Sequence, residues 1–204
     1  MEKFEKLRAI AAPIIKNNID TDVIIPMHRY ITADKSVIHK FAFESMRYLP
    51  EGEKNPAFSL NKLRFSNAKI LIVGQNFGCG SSREAAVWAI SGLGIKCIIG
   101  QSFGNIFFNN CFENGILVIN LPEETIKEMS NICHNFVGAP EFSVDLLEKK
   151  IKAPDKNCWT FDIHEHRRTQ LIEGLDGISL TLKHDQDIEN FQTLDKSIRP
   201  WVYF

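Results

Sequence analysis

The run Lys69-Ile70-Leu71-Ile72-Val73-Gly74-Gln75-Asn76-Phe77-Gly78-Cys79-Gly80-Ser81-Ser82-Arg83-Glu84-Ala85-Ala86-Val87-Trp88 decides the fold class. Its first part is continuously apolar and rich in β-branched residues, the texture of a strand buried on both faces. Ser82 to Leu93 is rich in Ala with one Trp and reads as a helix closed near Gly92 and Gly94. Working outward, Ile95–Gly100 is a second apolar run, Phe103–Glu113 a second helix closed by Gly115, and Ile116–Asn120 a third strand. Pro122-Glu123-Glu124 opens a third helix, with Pro and two acids in its first turn. Strand–helix–strand–helix–strand at this spacing implies right-handed crossovers, so the chain is predicted to be α/β with a mainly parallel central sheet.

The flanks are less regular. Residues 1–66 contain a short apolar stretch near Leu7–Ala12, a helix predicted around Asp34–Tyr48, and a charged Pro/Gly/Asn loop from Pro50 to Pro56. Beyond residue 140, Phe142–Leu146, Lys150–Ala153 and Trp159–Ile163 read as short strands of a smaller antiparallel unit. A helix is predicted over Glu165–Glu173, ahead of Gly174, and Asp185–Leu194 is amphipathic. The expected organisation is a single domain over residues 1–204, with 140–204 as a candidate C-terminal subdomain marked off by Gly138-Ala139-Pro140.

Composition bounds the function. A chain of 204 residues with 44% hydrophobic residues, 15 of them Phe, fills one sizeable core and is not disordered. The 24 basic and 25 acidic side chains leave a net charge of −1, which argues against a nucleic-acid or anionic-membrane partner. Five cysteines (Cys79, Cys97, Cys111, Cys133 and Cys158) show no CxxC or zinc-ligand spacing, so no metal site is expected in this chain. Lys96, Gln101 and Asn105 break the longest apolar regions, and Met1–Lys6 has no signal-peptide texture. A cytoplasmic location is expected.

Chemistry is concentrated in the loop Gln75–Glu84. In open α/β sheets ligands bind at the carboxyl ends of the strands, where this loop lies. Gly78 and Gly80 admit positive φ and close approach of the backbone to a ligand. Ser81 and Ser82 are good N-cap residues, free N–H groups at a helix start favour an anion, and Arg83 adds a planar fork matched to a carboxylate. Other readings fail on spacing. GxGxxG would need glycine where Arg83 stands, no Lys follows the glycines as in a Walker loop, and Gly80 directly precedes Ser81, which breaks GxSxG. Two readings stay open: an anion site with two hydroxyls and a guanidinium, or a capped helix with a surface Arg. Asn18-Ile19-Asp20-Thr21-Asp22, leading into Ile24-Ile25-Pro26, is a second candidate and reads equally as a turn entering a strand.

Taken together, Asn18–Pro26 and Asn76-Phe77-Gly78-Cys79-Gly80-Ser81-Ser82-Arg83-Glu84 closely resemble the small subunits of isopropylmalate isomerases, which match the swivelling domain of the aconitases. The likeness extends through Ser102–Phe107 and Gly174–Leu182, and so covers most of the chain. It implies a swivelling β/β/α fold that closes over a 4Fe–4S cluster held by a partner large subunit, in a heterodimer, with no cofactor bound by this chain. The implied reaction dehydrates 2-isopropylmalate and rehydrates it to 3-isopropylmalate in leucine biosynthesis. Matched by motif, Ser81 takes the position of the general base, Ser82 and Arg83 take substrate-carboxylate positions, and Asp22 takes an acidic active-site position.

Two departures bear on the substrate, a small diacid. Where this family usually has His after Ser-Ser-Arg-Glu, the chain has Ala85. The loop Met27-His28-Arg29-Tyr30-Ile31-Thr32, which in this family helps select the substrate's side chain, is slightly longer than usual, and its Arg29 either binds a carboxylate or is solvated. Related hydro-lyases of citraconate, dimethylmalate, homoaconitate or citrate therefore stay open, as does a non-catalytic anion-binding α/β module. His164-Glu165-His166 reads as a solvated helix start, and Phe103, Phe107, Phe108 and Phe112 as the core face of a helix.

Overall fold

The computed structural model describes residues 1–203. Its frame is one seven-stranded sheet in the order β4-β3-β2-β1-β5-β6-β7. The strands are β1 (Lys6–Ile14), β2 (Ile70–Val73), β3 (Cys97–Gly100), β4 (Leu117–Asn120), β5 (Glu141–Asp145), β6 (Lys150–Lys152) and β7 (Cys158–Thr160). β1 to β4 pair in parallel, and β5, β6 and β7 continue the sheet antiparallel from the other side of β1. The expected α/β class holds, and the antiparallel unit extends the same sheet.

β1 was legible only as a short apolar stretch, yet it is the longest strand and carries both kinds of pairing. Lys6–Ile10 pair with β5, and there exposed and sheltered residues alternate, as on a strand with one wet face. Ala11–Ile14 pair with β2 and are all buried, as parallel strands require. β2 and β3 are buried throughout.

Among the described residues nine helices accompany the sheet: α1 (Thr21–Ile24), α2 (Met27–Thr32), α3 (Glu44–Arg47), α4 (Glu84–Gly92), α5 (Asn105–Glu113), α6 (Glu123–Asn135), α7 (Glu165–Glu173), α8 (Gly177–Leu182) and α9 (Asp185–Ile198). α6 packs on β1 and β2, while α4 packs on α1, α5 and the 3-10 turn Ile38–Phe41. The long helix predicted over Asp34–Tyr48 does not form. Phe43 interrupts it in the left-handed region, at φ +55°, between that turn and α3. Its ring is fully buried 5.9 Å from Phe58 and 6.4 Å from Phe77, and its N–H donates to Ile24 O at 2.8 Å. Tertiary packing overrides helix propensity there.

Phe142 on β5 is fully buried opposite Ala9 of β1, where the antiparallel half of the sheet joins the rest. Phe142→Ala is expected to cost about 3–5 kcal/mol, read as a lower urea midpoint with unchanged slope. A loss below about 1 kcal/mol would contradict this placement.

Candidate active site

The site is built where β1 and β2 end side by side. Beyond the strands, Asn18 N–H donates to Gln75 O at 2.9 Å, and Gln75 N–H donates to Asn17 Oδ1 at 2.9 Å. Asn18 and Asn76 both adopt the left-handed conformation, at φ +56° and +55°, which Asn tolerates better than most residues. Asn76 Nδ2 donates to Asn18 Oδ1 at 2.8 Å, so the two turns clasp each other. The next residue of each loop, Ile19 and Phe77, plugs into the core. The Phe77 ring lies 5.5 Å from that of Phe107 on α5.

Backbone contact then carries the pairing onward. Gly78 N–H donates to Ile19 O at 2.7 Å, and Thr21 N–H donates to Cys79 O at 2.9 Å. Gly78, at φ +71°, touches the Phe107 ring so closely that a Cβ would lie 2.2 Å from it. Here glycine is required by both conformation and space. Thr21 is buried, and its Oγ1 donates to Ser81 O at 3.2 Å, bolting the second loop to the first.

α1 begins with Asp20 as N-cap, its carboxylate accepting from Val23 N–H at 2.7 Å. That cap leaves Asp22 in the first turn, with its side chain facing the Arg83 fork. Arg83 Nη1 donates to Asp22 Oδ1 at 2.5 Å and Nη2 donates to Oδ2 at 2.7 Å, a bidentate pair. Nη2 also lies 3.3 Å from Ser81 Oγ, and the Tyr30 ring flanks the guanidinium 5.7 Å away. The Arg83 side chain is only 11% exposed against 56% for Asp22, so the cation is sheltered while the acid meets water. Hydrogen bonding to Arg83 holds the Asp22 carboxyl below its ordinary value, and the same contact raises the guanidinium.

Asp22, Ser81 and Arg83 are thus brought together. Ser82 is exposed beside them on the open face of the loop. Neither serine caps α4, because the helix starts later: Arg83 is its N-cap residue and makes no side-chain cap bond. Arg29 stands apart, with its fork already occupied. Arg29 Nε and Nη2 donate to the Glu44 carboxylate at 2.9 and 2.6 Å, and its Cζ stacks 4.6 Å from the Phe41 ring. Thr21, Tyr30, Glu44 and the Asn18–Asn76 clasp were not singled out from the sequence. One signal was available: each motif opens with Asn followed by a large apolar residue. Ala85 is buried in α4, where the expected histidine is replaced by packing.

Other candidates are structural. His164 caps α7 and Glu165 pairs with Lys149 and Arg168. Burial raises the thiols of Cys97 and Cys111, and pushes that of Cys133 up to about 12. Cys79 is half-buried, its thiol raised by burial and by Asp20.

Residues 1–124 match the family model of the aconitase C-terminal domain. The 3-isopropylmalate dehydratase small subunit of Agrobacterium fabrum is 45% identical over 202 residues, 99% of this chain and 100% of that one. The chain belongs to this aconitase-related family of dehydratase small subunits. Another member, from Parvibaculum lavamentivorans, is 42% identical with the same coverage. A crystal structure titled as a 3-isopropylmalate dehydratase from Methanocaldococcus jannaschii superposes with a TM-score of 0.64, over 92% of this chain and 99% of that one. At 22% identity that likeness speaks to the family fold alone.

The Arg83 pairing has a pH signature. With its midpoint lowered below the ordinary 3.8, the Asp22 carboxylate stabilises the closed loop above that value. The contribution is lost as pH falls through the lowered midpoint and, at a half-exposed site, amounts to less than about 1 kcal/mol. Carboxyl-detected NMR should place Asp22 below 3.8 in the wild type, and Arg83→Gln should return it toward that value. A wild-type midpoint at or above 3.8 would mean the pair does not persist in solution.

Proposed function

We propose that this chain works as the small subunit of a 3-isopropylmalate dehydratase, interconverting 2- and 3-isopropylmalate by loss and return of water in leucine biosynthesis. The observation that carries the reading is the sheltered Arg83 guanidinium held between Asp22 and Ser81 on an open face. In this reading Arg83 and Ser82 receive a substrate carboxylate. Asp22, which holds the fork in the absence of a ligand, exchanges with it. Ser81 takes the proton from carbon.

Magnitudes explain why the chain alone is expected to be inactive. A hydroxyl resembles water, whose pKa is about 15.7, so acting as a base near pH 7 asks for about 9 units. At about 1.36 kcal/mol per unit that is on the order of 12 kcal/mol. The start of α4 offers only about 0.3–2 kcal/mol, and Ser81 is exposed to water. The remainder requires a closed, dry site with donors aimed at the alkoxide, of which Arg83 Nη2 supplies one. A large subunit closing on this face supplies the rest.

An iron–sulfur cluster does not fit the donors of this chain. Its thiols are dispersed over a loop, a strand, two helices and an edge strand, and among the described residues no three His, Cys, Asp or Glu side chains converge to hold a metal. We assign the 4Fe–4S group to the large subunit. Among the described residues no helix is long and apolar enough to cross a membrane, and the cytoplasm is the proposed location.

Glu44 favours the isopropyl-bearing substrate over tricarboxylic relatives. It neutralises Arg29, while Met27 and Ile31 of α2 present exposed apolar side chains. In the reconstituted two-chain enzyme, Ser81→Ala is expected to lower kcat by about 10²–10⁴ with assembly intact. Arg83→Lys should raise KM, because the bidentate contact is lost. Near-normal kcat in Ser81→Ala would remove that residue from the base role. Glu44→Gln should shift the kcat/KM ratio toward homoaconitate by about tenfold or more, through the freed Arg29; an unchanged ratio would detach Arg29 from selection.

A further inference from the structure

The chain continues well past its last strand. α9 has a single buried residue, Asp195, and among the described residues its substantial packing is with the 3-10 turn Pro200–Val202 that follows it. A helix of that length is marginal in water by itself, because nucleation is costly and only tertiary packing repays it. Nor are its apolar side chains scattered. Ile178 and Leu182 stand four apart on α8, and Phe191, Leu194 and Ile198 recur at the spacing of one helix face on α9. With Trp201 in the closing turn, these six side chains are 58–73% exposed. At on the order of 100 Å² each, they leave roughly 600 Å² of apolar side chain in water across the two helices and the closing turn.

The end of this segment is also preshaped. The Asp195 carboxylate accepts from Arg199 Nε at 2.6 Å and from the Tyr203 hydroxyl at 2.8 Å. Arg199 and Tyr203 bracket Trp201, so the clasp fixes the turn that carries the indole before any partner arrives. Preorganisation of this kind lowers the entropic cost of association.

We propose that residues 177–203 form a docking arm whose apolar face seats on the large subunit. The proposal rests on the small-subunit reading above. Two observations select that occupant. The match to relatives named dehydratase small subunits runs over 202 residues, 99% of this chain and 100% of theirs, and so takes in the arm, which proteins named for pairing with a large subunit therefore share. The exposed apolar area approaches the ~800 Å² per partner of a specific interface, which polar rim contacts would complete.

The test uses the full chain and its cognate large subunit, purified separately and mixed anaerobically. The wild type should form a 1:1 complex in sedimentation, and amides of 185–198 should become protected from exchange on mixing. The triple variant Phe191→Ser, Leu194→Ser, Ile198→Ser should weaken association by at least about thirtyfold, a hot-spot-sized loss, with an unchanged urea midpoint. Unchanged affinity or unprotected arm amides would overturn the arm while leaving the small-subunit reading intact. Failure of the wild type to associate would instead overturn that reading, and the arm's occupant with it. A wild-type homodimer that the triple variant turns into a monomer would give the face to a second copy and overturn the assignment to the large subunit.

Discussion

β1 is the parallel neighbour of β2 over one half of its length and the antiparallel neighbour of β5 over the other. The rest of the structure depends on that double role. It joins two sheets of different grammar into one, and it makes the exits of β1 and β2 adjacent. Adjacency then lets the two loops share backbone hydrogen bonds for several residues past the strands, down to the pairing of Asp20 with Cys79. Side chains separated by about sixty positions, such as Asp22 and Arg83, meet because main chain has already been brought together.

The charged anchor of the site is sheltered and its other polar groups are open to water. The most deeply held group is the cation, while the acid that faces it and the hydroxyls beside it all meet water. Such a site can recognise an anion before it can do anything to it. Recognition needs the fork alone, whereas proton abstraction needs exclusion of solvent that this face does not provide by itself. The division of labour proposed above between two chains fits that arrangement. On the reading proposed above, one chain brings a positioned guanidinium and a candidate base, and the large subunit would supply the dry surroundings.

Much of this was legible in the sequence, and what was not failed for specific reasons. β2, β3 and β4 with α4, α5 and α6 read cleanly because each strand is an apolar run and each helix is punctuated by Gly or Pro. β1 was obscured because its two halves follow different patterns, alternating before Ile10 and continuous after it, so neither template fits the whole. The broken helix at Phe43 was invisible, since the break is imposed by rings that arrive from residues 58 and 77. Asp22, Ser81 and Arg83, singled out through their motifs, do come together in the structure. Their partners were not singled out, because Thr21 and the two asparagines act through main-chain geometry, and Glu44 acts on Arg29 across a stretch of irregular backbone.

The Arg83–Asp22 pair has a meaning for the chain in isolation. The sheltered guanidinium has its fork filled by Asp22. On the reading proposed above, a substrate carboxylate must out-compete an acid already in place. On that reading, selection begins with an internal competitor.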